Sequence, residues 1–193
     1  MNNTTQRTDP RVIRTRQLLR DAVIELIEEM DIEKISVNRI AERAKINRVT
    51  FYLHYRDLPD MLEKMADDMV EDILKVVNNE DNKQEPVEEE YVRTLENLLK
   101  HIADNAKFYK VILTSRSSPI FTDRLFNLVE EIISAHKEKK EDAADSSKMP
   151  IQKQIAIWYG SSALIGTIIS WLREDMPYTP VYLAKQISAI RAN

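Results

Sequence analysis

The chain contains no cysteine and only two glycines, Gly160 and Gly166, in 193 residues. Without cysteine there can be no disulfide, thiolate zinc site or cysteine nucleophile, and a reducing compartment fits. So few glycines argue against a Gly-rich phosphate loop and against folds built on many tight turns, and favour an all-helical chain. Histidine is scarce too: His54, His101 and His136 are the three, and none has a partner at HExxH spacing. No GxSxG motif is present, and the abundant carboxylates run in solvated stretches such as Glu88-Glu89-Glu90. Catalysis, a metal site and a cofactor are therefore not expected. The N-terminus "MNNTTQRTDPRVIRTRQ" has a basic flank with no apolar segment behind it, so no signal peptide is expected.

With 43% hydrophobic and 31% charged residues, the composition is that of a globular chain with room for one or two small domains. The most apolar stretch, "IAIWYGSSALIGTIISWL" (155–172), is uncharged and of borderline length for a membrane span. Six Gly, Ser and Thr residues interrupt it, which favours a helix buried at an interface, and no membrane association is expected. The net charge of −4 conceals an asymmetry: residues 1–56 hold 11 Lys/Arg and 8 Asp/Glu, and residues 57–193 hold 17 and 24. Arg7, Arg11, Arg14, Arg16 and Arg20 face a single Asp9 within the first twenty positions. A basic end on an acidic body suits an anionic partner for that end.

Apolar spacing predicts a helix over 11–30 with Leu19, Ala22, Val23, Leu26, Ile27 and Met30 on one face. Ser36 can cap a second helix over 37–44, with Val37, Ile40, Ala41 and Ala44 inward. The stretch "KINRVTFYLHYRD" (45–57) then poses a choice, because Val49-Thr50-Phe51-Tyr52 has strand propensity. Its neighbours decide for a helix over 48–54. Asn47 is a good N-cap, Phe51 and Tyr55 share an inner face at i, i+4, and Asp57-Leu58-Pro59 ends it and starts another. Further helices are predicted over 59–77, 87–103, 106–115, 119–137, 150–173 and 180–192. The polar runs 78–90 and 137–149 read as a linker and a loop.

Two short helices joined by Lys45-Ile46-Asn47 have helix-turn-helix geometry, whose second helix can enter a DNA major groove. Arg48, Thr50, Leu53 and His54 are left on its outside. Arginine matches guanine edges, Thr the thymine methyl or a phosphate, and Tyr and His can donate to phosphate oxygens.

At these positions the chain resembles the DNA-binding domain of the TetR family of bacterial transcriptional regulators. The resemblance covers residues 11–62 and rests on Ser36, Ile40-Ala41, Thr50, Tyr52, His54, Tyr55 and Leu62 at the family's spacing. It implies that Asn38, Arg48, Val49, Thr50 and Leu53 lie near base edges. It also implies that Ser36, Tyr52 and His54 hold the phosphate backbone, with Arg39 assisting and Asn47 opening the recognition helix. Two positions depart from the family pattern. Lys45 stands at the turn glycine, where a left-handed conformation costs roughly 1 kcal/mol. Leu58 replaces a lysine that often grips a phosphate.

A weaker likeness covers "YGSSALIGTIISWLREDMPYTPVYLAKQI" (159–187), which resembles the family's last two helices and implies a homodimer built as a four-helix bundle. Tyr159, Ser162, Ala163, Gly166, Ile169, Leu183 and Ile187 are the expected interface residues. The implied whole is an N-terminal three-helix helix-turn-helix domain (1–57) and a helical regulatory and dimerisation domain (58–193). Its expected partners are double-stranded DNA with a palindromic operator, a second copy and a small-molecule effector, in the bacterial cytoplasm at the nucleoid. Phe108, Tyr109, Phe121, Phe126, Trp158 and Met149 are candidates to line an effector pocket. The competing reading keeps the fold but makes it a protein-interaction or co-activator module with DNA binding lost or secondary.

Overall fold

The computed structural model describes residues 9–78, 86–114, 119–141 and 152–192. Among the described residues nine α-helices follow one another: α1 Pro10–Glu29, α2 Val37–Arg43, α3 Arg48–Tyr52, α4 Leu58–Val77, α5 Val87–Asp104, α6 Ala106–Thr114, α7 Pro119–Glu141, α8 Lys153–Arg173 and α9 Pro180–Ala192. No strand occurs among the described residues. Each predicted helix is present, so the all-α reading holds. A short 3₁₀ turn, Ile32–Lys34, lies between α1 and α2 and was not anticipated. Met149 and the loop predicted up to it lie outside the described residues, apart from the end of α7, which runs past 137 to Glu141.

The chain divides into two compact units, Met1–Met65 and Ala66–Asn193. The division falls inside α4 and not at the 57/58 position read from the sequence. In the first unit α1 packs on α2 and α2 on α3. Leu19, Val23, Leu26, Ile40 and Phe51 are almost wholly buried. Ile24 joins the predicted α1 face, while Met30 at its end is half-exposed.

Asp9 opens α1 by accepting from the Arg11 amide at 2.9 Å, and Pro10 sits at the first helical position, where no amide is needed. Asp57 does the same for α4, its Oδ1 accepting from the Asp60 amide at 2.8 Å.

In the second unit α5 lies along α9, and α8 packs on both α6 and α7. Leu95, Leu98, Leu99 and Ile102 of α5, Tyr109 and Ile112 of α6, and Phe121 and Leu125 of α7 form its interior, with Ile168 and Leu172 of α8. The ring of Tyr91 lies 4.6 Å from that of His136 and beneath the guanidinium of Arg191 at 4.2 Å, joining α5, α7 and α9. Burial pushes the Tyr91 hydroxyl above its ordinary pKa, against the pull of Arg191. By length and composition α8 could cross a membrane, but Ile157, Leu164, Ile165, Ile168 and Leu172 are buried within the unit.

Neither glycine makes a turn: both lie inside α8. Gly160 brings α7 close, since a Cβ there would meet Ile133 Cδ1 at 3.3 Å; at Gly166 a Cβ would meet nothing within 4 Å. The left-handed positions fall instead to Lys45 (φ 55°), Asp175 (φ 54°) and Met176 (φ 56°). At the end of α2 the Lys45 amide donates to Glu42 O at 3.1 Å and the Ile46 amide to Ala41 O at 3.0 Å. This paired closure normally takes a glycine in the place of Lys45. The end of α8 repeats it, with Asp175 donating to Leu172 O and Met176 to Trp171 O at 2.8 Å. There the Lys110 ammonium pairs with Asp175, and the Trp171 indole donates to Tyr178 O at 2.9 Å.

Candidate nucleic-acid interface

The interface is built around five residues of helix. Asn47 Oδ1 accepts from the Val49 amide at 2.8 Å and starts α3. Phe51 is fully buried and Tyr55 nearly so, their rings 5.6 Å apart, so the i, i+4 pair anchors the helix as the sequence predicts. The strand reading of Val49–Tyr52 fails: a strand would put Val49, Phe51 and Leu53 on one face, whereas Phe51 is buried and the other two stand in water.

The opposite side is open. Val49 is 66% exposed, Leu53 76% and Tyr52 46%, and Arg48 is exposed beside them. Large apolar side chains left together in water on one helix mark a contact surface. Thr50 and His54 are half-buried at its edges. Ser36, Asn38 and Arg39, at the start of α2, are all exposed. Ser36 Oγ accepts from the Arg39 amide at 3.4 Å, which leaves its own hydrogen free to donate outward. The Arg39 guanidinium reaches back to Met30 Sδ.

A polar clasp fastens α3 to the start of α4. Asp60 is buried; its carboxylate accepts from the Arg56 amide (2.9 Å), Arg56 Nε (3.1 Å) and Lys64 Nζ (3.0 Å). The Arg56 amide first, then Lys64, hold the Asp60 carboxyl down to about 2. Lys64 also donates to His54 O at 3.2 Å and lies over the Tyr55 ring at 5.4 Å. Sequence reading missed this clasp. The i, i+4 spacing of Arg56, Asp60 and Lys64 was its visible signal.

The surroundings are basic. Arg11, Arg14 and Arg16 lie on the exposed first turns of α1, ahead of Leu19, the first buried residue; Arg7 lies outside the described residues. Partial burial, and then the charge of Arg16, hold the His54 imidazole below its ordinary pKa. The helix-turn-helix thus presents an outward face with cationic flanks, which is what a polyanionic groove requires.

The second unit matches a family model for the C-terminal region of transcriptional regulators, TetR_C_8, over residues 89–192, just over half of the chain. The chain belongs to the TetR family of transcriptional regulators. A relative from Bacillus subtilis (strain 168), an uncharacterized HTH-type transcriptional regulator called YxbF, is 22% identical over 170 residues, 88% of this chain. The chain spans 42% of that relative's length. Among solved structures, the fatty acid degradation regulator FadR from Bacillus halodurans superposes with a TM-score of 0.71 at 17% identity, covering 96% of both chains. FadR from Bacillus subtilis in complex with stearoyl-CoA gives 0.61 at 17% identity, over 90% of this chain and 96% of that one. At these identities the likeness is one of fold.

The TetR body distributes the other expected site residues unevenly. Tyr159, Ser162, Ala163 and Gly166 are exposed on α8, and Ile169 and Ile187 are half-buried. Leu183 is 8% exposed and belongs to the core of its own chain. Ser162, Ala163, Gly166, Trp171, Tyr178 and Leu183 line an open groove of about 530 Å³ between α8 and α9. Phe108 packs edge-to-face on both Tyr109 and Phe121, and Tyr109 Oη meets His101 Nε2 at 2.9 Å. Phe126 is half-buried beside them in sequence on α7. Trp158 corrects the sequence reading: it is 54% exposed, because its neighbour Ile157 takes the inward position on α8.

Proposed function

We propose that the chain is a homodimeric operator-binding regulator whose two α3 helices enter successive major grooves of a palindromic site. The observation that carries this reading is the division of α3: Phe51 is fully buried while Arg48, Val49 and Leu53 stand in water. Arginine and apolar side chains at the outside of a groove-sized helix match guanine edges and thymine methyls. On this reading Asn38 and Thr50 would border the base-reading face, and Ser36, Arg39 and His54 would meet the flanking phosphates.

A single helix of this length covers too few base pairs for a specific site, so a second copy is needed. The exposed aromatic and small-residue face of α8 and α9, with Trp158, Tyr159, Tyr178, Tyr182 and Ile190 in water, is the surface on which that copy would pack. Binding at an operator would repress transcription. A small molecule in the body would release it by moving α4, whose residues belong to both units. The stearoyl-CoA complex of the Bacillus subtilis FadR supports a body able to hold such a molecule.

The test is selection of duplexes from a random DNA library near physiological salt, where specific contacts dominate. Enrichment of a palindrome with half-sites about one helical turn apart is the expected result. A folded dimer that enriches nothing would favour the interaction module instead.

A further inference from the structure

Arg48 opens α3 and Tyr52 closes it one turn later. Tyr52 Oη accepts from Arg48 twice, from Nη2 at 3.0 Å and from Nε at 3.3 Å. The guanidinium carbon also lies 5.4 Å from the centre of the Tyr52 ring. Helical side chains lean towards the N-terminus, so an unheld arginine at the first helical position would project off the start of α3. The tyrosine instead draws it back along the helix. Tyr52 is itself braced: its ring packs edge-on against Phe51 at 5.6 Å and 86°, and Phe51 is fully buried. A line of support therefore runs from the core through Phe51 and Tyr52 to the guanidinium.

The donors left over define what this arginine can read. A guanidinium has five N–H groups in one plane, and Oη takes the one on Nε and one on Nη2. The free edge carries both hydrogens of Nη1 and the second of Nη2, a two-nitrogen fork pointing away from the tyrosine. Guanine offers two acceptors, O6 and N7, side by side in the major groove; adenine sets a donor beside its N7. We infer that Tyr52 is a positioning residue that presents Arg48 end-on to one guanine in each half-site. Tyr52 then acts through Arg48, not as an independent phosphate contact. The inference rests on the DNA-binding reading above.

The test uses the duplex selected by the wild-type protein, with each guanine replaced in turn by 7-deazaguanine, which keeps pairing and removes N7. Wild type, Arg48→Ala, Tyr52→Phe and the double variant are compared by fluorescence anisotropy. Both positions are exposed, and Tyr52→Phe keeps the ring on Phe51 while removing only Oη. Wild type should lose about five- to tenfold in affinity at one guanine per half-site, and Arg48→Ala should be indifferent to that replacement. Tyr52→Phe should weaken binding to the unmodified duplex and lose most of its sensitivity there. Added to Arg48→Ala it should change nothing further. If Tyr52→Phe instead keeps full sensitivity and weakens every duplex alike, or if the two losses add, Tyr52 acts independently and the inference is overturned. Failure of the wild type to enrich any duplex is a separate outcome and removes the DNA-binding reading itself.

Discussion

Lys64 Nζ, in the second turn of α4, donates to the backbone carbonyl of His54, just past the end of α3, at 3.2 Å. The same ammonium holds Asp60 at 3.0 Å, so one side chain ties α4 to the end of α3. A movement of α4 would therefore reach α3 through a polar contact as well as through packing. Replacing Lys64 with Met keeps the stem and removes the donor. Stability should fall by no more than about 1 kcal/mol, because Lys64 is half-exposed. Operator affinity should fall about tenfold, because α3 loses its orientation. Urea melts beside anisotropy titrations check this; equal losses in both would mean that the clasp serves stability alone.

The split face of α3 predicts opposite behaviour from residues two apart. Phe51→Ala should cost about 3–5 kcal/mol, while Leu53→Ala should leave stability within about 0.5 kcal/mol and weaken DNA binding several-fold. Denaturant unfolding separates them. A destabilised Leu53→Ala would show that this side chain is packed and not presented.

The sequence foretold this division because Phe51 and Tyr55 fall on one helical face and nothing apolar flanks Leu53 except Val49. The clasp was harder to foresee. Asp60 is buried by the backbone amide of Arg56, and spacing alone does not distinguish such a carboxylate from a solvated one. Trp158 was misplaced for a different reason: residues 155–172 carry no charge on any side, so periodicity cannot say which side faces the core. The Arg48–Tyr52 pair was visible as an i, i+4 spacing, but only the hydrogen bonds from Nε and Nη2 show which edge of the guanidinium remains open.

Lys45 sits at φ 55° with its amide in the turn closure. Glycine there removes the steric penalty of roughly 1 kcal/mol, so Lys45→Gly should stabilise the first unit by no more than about 0.5 kcal/mol, net of the greater freedom of glycine when unfolded. Equilibrium unfolding measures it; destabilisation would mean that the Lys45 side chain contributes more than its backbone costs.

On the proposed function, His54 would link protons to both stability and DNA. Its folded pKa lies below its ordinary value of 6.5, so on acidification the unfolded chain takes up a proton before the folded unit does. Its contribution to stability is therefore present above that value and declines as pH falls through 6.5 and below. Phosphate favours the imidazolium, so affinity for the operator should rise over the same range. His54→Gln should flatten both trends. An affinity that rises equally in that variant would assign the effect to other groups.

Gly166 faces open space in the single chain. Gly166→Ala should stabilise the monomer by up to about 1 kcal/mol through helix propensity and weaken self-association if α8 packs closely on its copy. Sedimentation at a series of concentrations gives the second quantity. Unchanged association would move the dimer surface away from Gly166.

The most direct measurement takes the selected duplex and inserts about five base pairs between its half-sites, turning one by roughly half a helical turn. A dimer holding two α3 helices should lose at least tenfold in affinity on this duplex and regain much of it when about ten are inserted. Equal affinity at every spacing would contradict the account, because each α3 would then be binding on its own.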